Sequence, residues 1–363
     1  MKVQGRAWRT IEAVEGGAAV TIIDQTRLPF RFETLTLRTL AEVAHAISSM
    51  QVRGAPLIGA AGAWGLALAA RVDASTPALE AAAKQLIATR PTAINLRRVV
   101  DDTLRNVLAA PQPERVEVAR RAAQEVCDDE VDKSRRIGEH GLALLRKLHA
   151  AKGARLDVLT HCNAGWLATV DYGTALAPLY LAHDAGLPIH VWVDETRPRN
   201  QGASLTAWEL GQHGVPHTLL VDNAGGLLMR QRRVDACIVG TDRVTLNGDV
   251  CNKVGTYLKA LAAFDTDVPF YVAAPETSID WTMARGDQVP IEERAADEVT
   301  HLTGVDAEGE VHTVRVTPEG TPVLNPGFDV TPARLVTALL TERGACAASA
   351  EGLFSLFPER RAP

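Results

Sequence analysis

Aromatic residues are scarce. Phe, Trp and Tyr make up 5% of the 363 residues, in an alanine-rich chain that is 46% hydrophobic. Such a composition suits a soluble, helix-rich enzyme. Positive charge is not in surplus: 38 Lys and Arg face 44 Asp and Glu, a formal net charge of −6. That excludes the basic excess of a nucleic-acid-binding chain, although a local basic pocket stays open. No run reaches the ~18 uninterrupted apolar residues of a membrane span. Leu57 to Ala70 is apolar but short, and reads as a core helix, so no membrane partner is expected. The N-terminus lacks the apolar region of a secretory leader. Cysteines are few, odd in number and scattered: Cys127, Cys162, Cys237, Cys251 and Cys346. This excludes a disulfide framework and points to reduced thiols in the cytoplasm.

Several ligand signatures are missing too. There is no C-x-x-C. His213 and His217 have helical i,i+4 spacing, but Gly214 and Pro216 break the helix that spacing needs. His161 and Cys162 are adjacent, so on a strand they point to opposite faces. No metal is expected. No G-x-G-x-x-G follows a strand and no Walker loop occurs, so dinucleotide and P-loop nucleotide binding are not supported.

What is present is a change of pattern near Lys152-Gly153. Before it, Trp8 to Val14, Ala19 to Asp24 and Phe30 to Leu37 alternate in polarity and predict a small β-meander. Helical segments follow at 39–48, 57–70, 79–86 and 95–108, then the longest helical pattern at 113–150. After it, strands are predicted at 156–161, 189–194, 217–222, 235–240 and 269–274. Helices alternate with them at 166–184, 203–212, 224–231 and 253–264, the βαβ pattern of a doubly wound parallel sheet. A further helix is expected from Pro332 to Glu342, after an irregular stretch from Pro290 to Gly327. The predicted class is therefore α/β: a small β-meander and helical domain over 1–150, a Rossmann-like domain over 151–345, and a loose tail over 346–363.

In open parallel sheets, ligands bind beyond the carboxyl ends of the strands. Cys162 ends the first strand of the second half. It reads either as a reactive thiol or as a buried small hydrophobe. Asp242 follows the fourth strand, as a general acid/base or as a turn aspartate. Lys253, after the Asn247-Gly248-Asp249 turn, reads as the opening of a helix, where it either holds a phosphate or is an ordinary surface lysine. In the first half, Arg53-Gly54-Ala55 precedes Pro56, a residue favoured at the first turn of a helix. The N–H groups freed there attract anions. The same residues also serve as a plain helix start. Arg90 alone reads as a surface arginine.

Taken together, Arg53-Gly54-Ala55-Pro56, Arg90 to Leu96, Thr160-His161-Cys162-Asn163-Ala164-Gly165, Asp194 to Gly202, Val239 to Val244, Asn247-Gly248-Asp249 and Asn252 to Thr256 resemble the methylthioribose-1-phosphate isomerases of methionine salvage. That family shares its fold with regulatory subunits of a eukaryotic translation-initiation guanine-exchange complex and with ribose-1,5-bisphosphate isomerases. The resemblance runs in order from about residue 8 to about residue 344. It implies that Cys162 and Asp242 are catalytic, and that Arg53, Gly54, Ala55, Arg90, Gln201, Asn252 and Lys253 bind a small sugar phosphate. It also implies no cofactor, no metal and a homodimer formed through the C-terminal domain. A related isomerase of ribose 1,5-bisphosphate or 5-deoxyribose 1-phosphate would use the same acid and thiol. A non-catalytic regulatory subunit would have no need for both.

Overall fold

A computed structural model of the chain describes residues 1–361. A short hairpin, β1 (Lys2–Val3) and β2 (Arg6–Ala7), leads into the expected meander of β3 (Ile11–Val14), β4 (Ala19–Ile23) and β5 (Thr34–Leu37), all antiparallel. α1 (Leu40–Ser48) starts with a capping box: the Thr39 hydroxyl accepts from the Glu42 N–H, and the Glu42 carboxylate accepts from the Thr39 N–H. α2 (Ala55–Val72) begins after Gly54, whose φ of 95° and close approach to the Ala168 backbone leave no room for a Cβ. With 18 residues and a mean hydropathy of 1.4, α2 is long and apolar enough to cross a membrane by length and composition. It is instead walled in by α1, α3 (Thr76–Ala88), α4 (Ile94–Ala109) and α5 (Arg115–Lys152), which accounts for its apolarity on all sides.

The second half is built on one seven-stranded sheet. Its strands are β6 (Leu156–Thr160), β7 (Ile189–Asp194), β8 (His217–Leu220), β9 (Ala236–Val239), β12 (Phe270–Ala273), β17 (Ala338–Thr341) and β18 (Gly344–Cys346). Their order is β18-β17-β12-β9-β6-β7-β8, parallel except for β18. α6 (Ala177–Asp184), α7 (Ala207–His213), α8 (Ala224–Arg230) and α9 (Thr256–Asp265) cover it together with α5. Strand alternation feeds two cores. Val158, Val191, Ile238 and Tyr271 face one side, and Leu159, Trp192, Cys237 and Phe270 the other. A second sheet, β13-β10-β11-β16, joins β10 (Arg243–Thr245), β11 (Val250–Lys253), β13 (Ile279–Asp280) and β16 (Phe328–Thr331).

Four expectations before the tail are corrected. The helix predicted over 332–342 is strand β17: its short apolar run fits either state, and β12 offers it an open parallel edge, Tyr271 against Ala338. The stretch 166–176 is a short 3-10 turn and loop, so the helix predicted from 166 starts only at Ala177. Lys253 ends β11 and does not open a helix, which waits until Thr256. The irregular stretch holds α10 (Asp297–Thr300) and a hairpin, β14 (His301–Val305) with β15 (Val311–Arg315).

The tail is not loose within the described residues. α11 (Ala350–Leu356) starts with the Ser349 hydroxyl accepting from Gly352 N–H, and Leu353 and Phe357 are fully buried. Residues 362 and 363 lie outside the described residues. The Phe357 ring packs edge-on against Trp281, centroids 5.6 Å apart. Phe357→Ala is expected to cost about 3–5 kcal/mol, measured by urea unfolding. A loose tail would show no change.

Candidate active site

The chain runs from β6 to β7 to β8 in one direction, then returns to β9 and continues the other way. The strand order therefore reverses between β6 and β9, which pair directly, Val158 against Ala236 and Leu159 against Cys237. A crevice opens at such a reversal. Cys162 lies just past the end of β6 and Asp242 just past the end of β9, so the two expected catalytic residues flank that crevice.

Cys162 has a φ of 65°, unusual for a residue with a Cβ and costly by roughly 1 kcal/mol or more. Two threonines hold it there. Cys162 N–H donates to Thr196 Oγ1 (2.8 Å), and Thr206 Oγ1 donates to Cys162 O (2.7 Å). Of the five cysteines it is the one not buried. Asp242 N–H donates to Cys251 O (3.1 Å), tying it to β11. Both residues are enclosed by protein yet keep some surface exposed, and of the two Asp242 lines a cavity.

Gly54, Ala55, Arg90 and Asp242 line one small cavity, about 60 Å³, closed by Phe328 and Val289. Arg53 and Gln201 line a larger neighbouring cleft of about 710 Å³. The Arg90 loop is held against Asp242 from the far side: Arg243 Nη2 donates to Thr92 O (2.8 Å). Glu292 lies 3.8 Å from Arg90 Nη2. Arg90 is buried enough that its Nε finds no partner, so the surface-arginine alternative fails. Lys253 is buried too, its ammonium donating to Gly327 O (2.7 Å) and lying 4.8 Å from the Phe328 ring centre. Asn252 is buried beside Lys253, its amide donating to Thr256 Oγ1 (3.0 Å); like Lys253 and Cys162 it lines neither cavity. Gln201 keeps its buried Oε1 without a partner.

Burial dominates the electrostatics. It pushes the Asp242 carboxyl above its ordinary value, against the pull of Lys253, Arg53 and Arg90. It also pushes the Cys162 thiol up, against Arg53 and Lys253, with Asp242 adding to the rise. Desolvation works the other way on Lys253 and Arg90, lowering both. The site thus holds two acids whose neutral forms burial favours, ringed by cations and by the free N–H groups at the start of α2. That arrangement receives an anion and donates a proton.

Behind the crevice, His161, Asp194 and Asp222 bring three metal-type donor atoms within 4.8 Å of one another. The set does not suit a metal ion. The Lys259 ammonium already sits 3.3 Å from Asp194, and His161 Nδ1 is 2.9 Å from the same oxygen. The Asp222 carboxylate accepts the Thr196 and Arg197 N–H groups, both at 2.7 Å. The sequence places Asp194, Thr196 and Asp222 at strand ends but does not reveal this network, nor Thr206 and Glu209. The signal for Glu209 was available: four residues after Leu205 and beside Leu210, it falls on the buried stripe of its helix.

Residues 51–348 match the initiation factor 2 subunit family. A methylthioribose-1-phosphate isomerase from Methylorubrum populi is 60% identical over 362 residues, covering 99% of each chain. The crystal structure of 5-methylthioribose 1-phosphate isomerase from Pyrococcus horikoshii superimposes with a TM-score of 0.85 at 37% identity, over 98% of this chain and 97% of that one. A structure described as translation initiation factor eIF-2B, subunit delta, from A. fulgidus gives 0.80 at 38% identity, over 97% and 100%. The chain belongs to the initiation factor 2 subunit family, among its members named methylthioribose-1-phosphate isomerase.

Proposed function

We propose that the protein isomerises 5-methylthioribose 1-phosphate to the corresponding ribulose 1-phosphate, with Asp242 as general acid/base and Cys162 steering the hydrogen transfer. The observation that carries the roles is the pair of acids whose neutral forms burial favours, Asp242 and Cys162, on the two strands where the sheet order reverses. The substrate class rests on the names of the relatives.

The chemistry explains why such groups are needed. A sugar with phosphate on its anomeric oxygen cannot open its ring as a free hemiacetal does. The bond from C1 to the ring oxygen must break while the phosphate stays. The Asp242 carboxyl, whose protonated form burial favours, gives its proton to the ring oxygen as that bond breaks. A hydride then moves from C2 to the electron-poor C1, and the C2 hydroxyl proton passes to the Asp242 carboxylate. C2 becomes the ketone and Asp242 regains its starting state. The alternative, proton removal from C2, asks for a thiolate, and burial disfavours that form of Cys162. A bound phosphate dianion disfavours it further. Arg53, Arg90, Lys253 and the start of α2 hold the phosphate. Gln201, from the larger cleft, and Asn252, beside Lys253, complete the substrate-binding set.

The proposal includes a cytoplasmic homodimer. Its support is the resemblance, which implies a homodimer through the C-terminal domain, where Leu227 on α8 and Leu258 on α9 are exposed. The testing experiment is a substrate panel: 5-methylthioribose 1-phosphate, ribose 1,5-bisphosphate and 5-deoxyribose 1-phosphate, with ketose followed for each. The highest kcat/KM is expected for the methylthio sugar. Preference for the bisphosphate would move the protein to the related isomerases. No turnover of any would favour a regulatory subunit.

A further inference from the structure

We infer that Glu209 is a positioning residue that aims Arg53 at the substrate through the side-chain amide of Asn163. This rests on the isomerase reading and extends it to a residue outside the cleft. Glu209 is fully buried on α7. Asn163 Nδ2 donates to its Oε1, and Leu167 N–H donates to its Oε2 at 3.3 Å. The Tyr180 hydroxyl faces it without a well-formed bond. Gly165 leaves the carboxylate its space, since a Cβ there would fall on it.

The amide of Asn163 has two ends, and each is committed. Its NH2 group faces two acceptors, Glu209 and Thr206 Oγ1 (3.2 Å). Its Oδ1 is thereby turned to Arg53, accepting from Nη1 at 2.5 Å, while Asn163 O accepts from Nη2 at 2.9 Å. One side-chain and one main-chain oxygen of Asn163 so fix the plane of the Arg53 guanidinium. Its other N–H groups remain for the cleft that Arg53 lines. A carboxylate in a fully buried position costs desolvation, and an apolar side chain would fill the same space without that cost. The compensation is an amide that cannot turn over.

Glu209→Gln keeps the shape but supplies only one acceptor oxygen for two donors, so either Asn163 Nδ2 or Leu167 N–H loses its partner. Phosphate is held equally before and during the reaction, so the loss falls on KM. Steady-state kinetics on the full chain are expected to show KM for 5-methylthioribose 1-phosphate raised roughly ten-fold, with kcat changed by less than about two-fold. In an Arg53→Ala background the same substitution is expected to change KM by less than about two-fold, because the aimed group is gone. An unchanged KM, or the same fold-change in both backgrounds, would overturn the inference. Should the Glu209→Gln chain fail to fold, Asn163→Ser reads the same link: KM rises in the parent and not in Arg53→Ala, and any other pattern overturns it. If the parent protein turns over no substrate, the isomerase reading itself has failed, which is a separate result.

Discussion

Asp242→Asn lowers kcat by about three orders of magnitude, within the span a positioned acid contributes, and leaves the fold intact. The amide keeps the size of the carboxyl and the N–H bond to Cys251 O, but has no proton of the required acidity for the ring oxygen. The same variant is more stable than the parent at neutral and alkaline pH. The sign follows from linkage. Burial raises the folded-state pKa of Asp242 above its unfolded value. The unfolded chain therefore releases this proton first as pH rises, and stability is lost through that window and stays lower above it. Below the unfolded value near ~4 the group is neutral in both states and the advantage of Asn disappears. Thermal melts of both proteins at about pH 4 and pH 8 check this. In the parent, the acid form is lost as pH passes the raised value, so kcat falls on the alkaline side. Equal melts at both pH values would remove the burial that makes Asp242 an acid.

Cys162→Ser lowers kcat by about two orders of magnitude or more, of the size of a removed transition-state contact. The serine hydroxyl is smaller and less polarisable than the thiol, and the two threonines that hold the backbone at residue 162 are unaffected. Folding is expected to be unchanged by circular dichroism. A fully active serine variant would take the thiol out of the chemistry. The protonation state has its own reading. Burial holds the thiol up, so alkylation is slow at neutral pH and speeds as pH rises. Since the other four cysteines are buried, the label is expected at Cys162 alone, and substrate is expected to block it.

The parallel sheet was legible because its strands are short apolar runs separated by helical periods, and five of the six parallel strands lie where the pattern puts them. The sixth, β17, reads as a helix from sequence because a strand of four residues carries no period of its own, and only the open edge of β12 decides its state. The tail was read as loose for a related reason. Leu353 and Phe357 have no pattern until the gap beside Trp281 exists to receive them. The site divides in the same way. Cys162 and Asp242 stand at strand ends, where the sheet rule finds them. Arg53, Arg90 and Lys253 come from outside the parallel sheet, and no local pattern announces that they converge. The burial of Glu209 is legible on its helix stripe, but its role is not, because it holds a residue 46 positions away in the chain.

The most direct test of the account is to run the full-length protein with 5-methylthioribose 1-phosphate in deuterium oxide and follow the product by proton and phosphorus NMR. The account predicts that the ribulose 1-phosphate accumulates with both C1 hydrogens as protium, the migrating one having come from C2. Substrate that stays unchanged, or ketose carrying deuterium at C1, would contradict it.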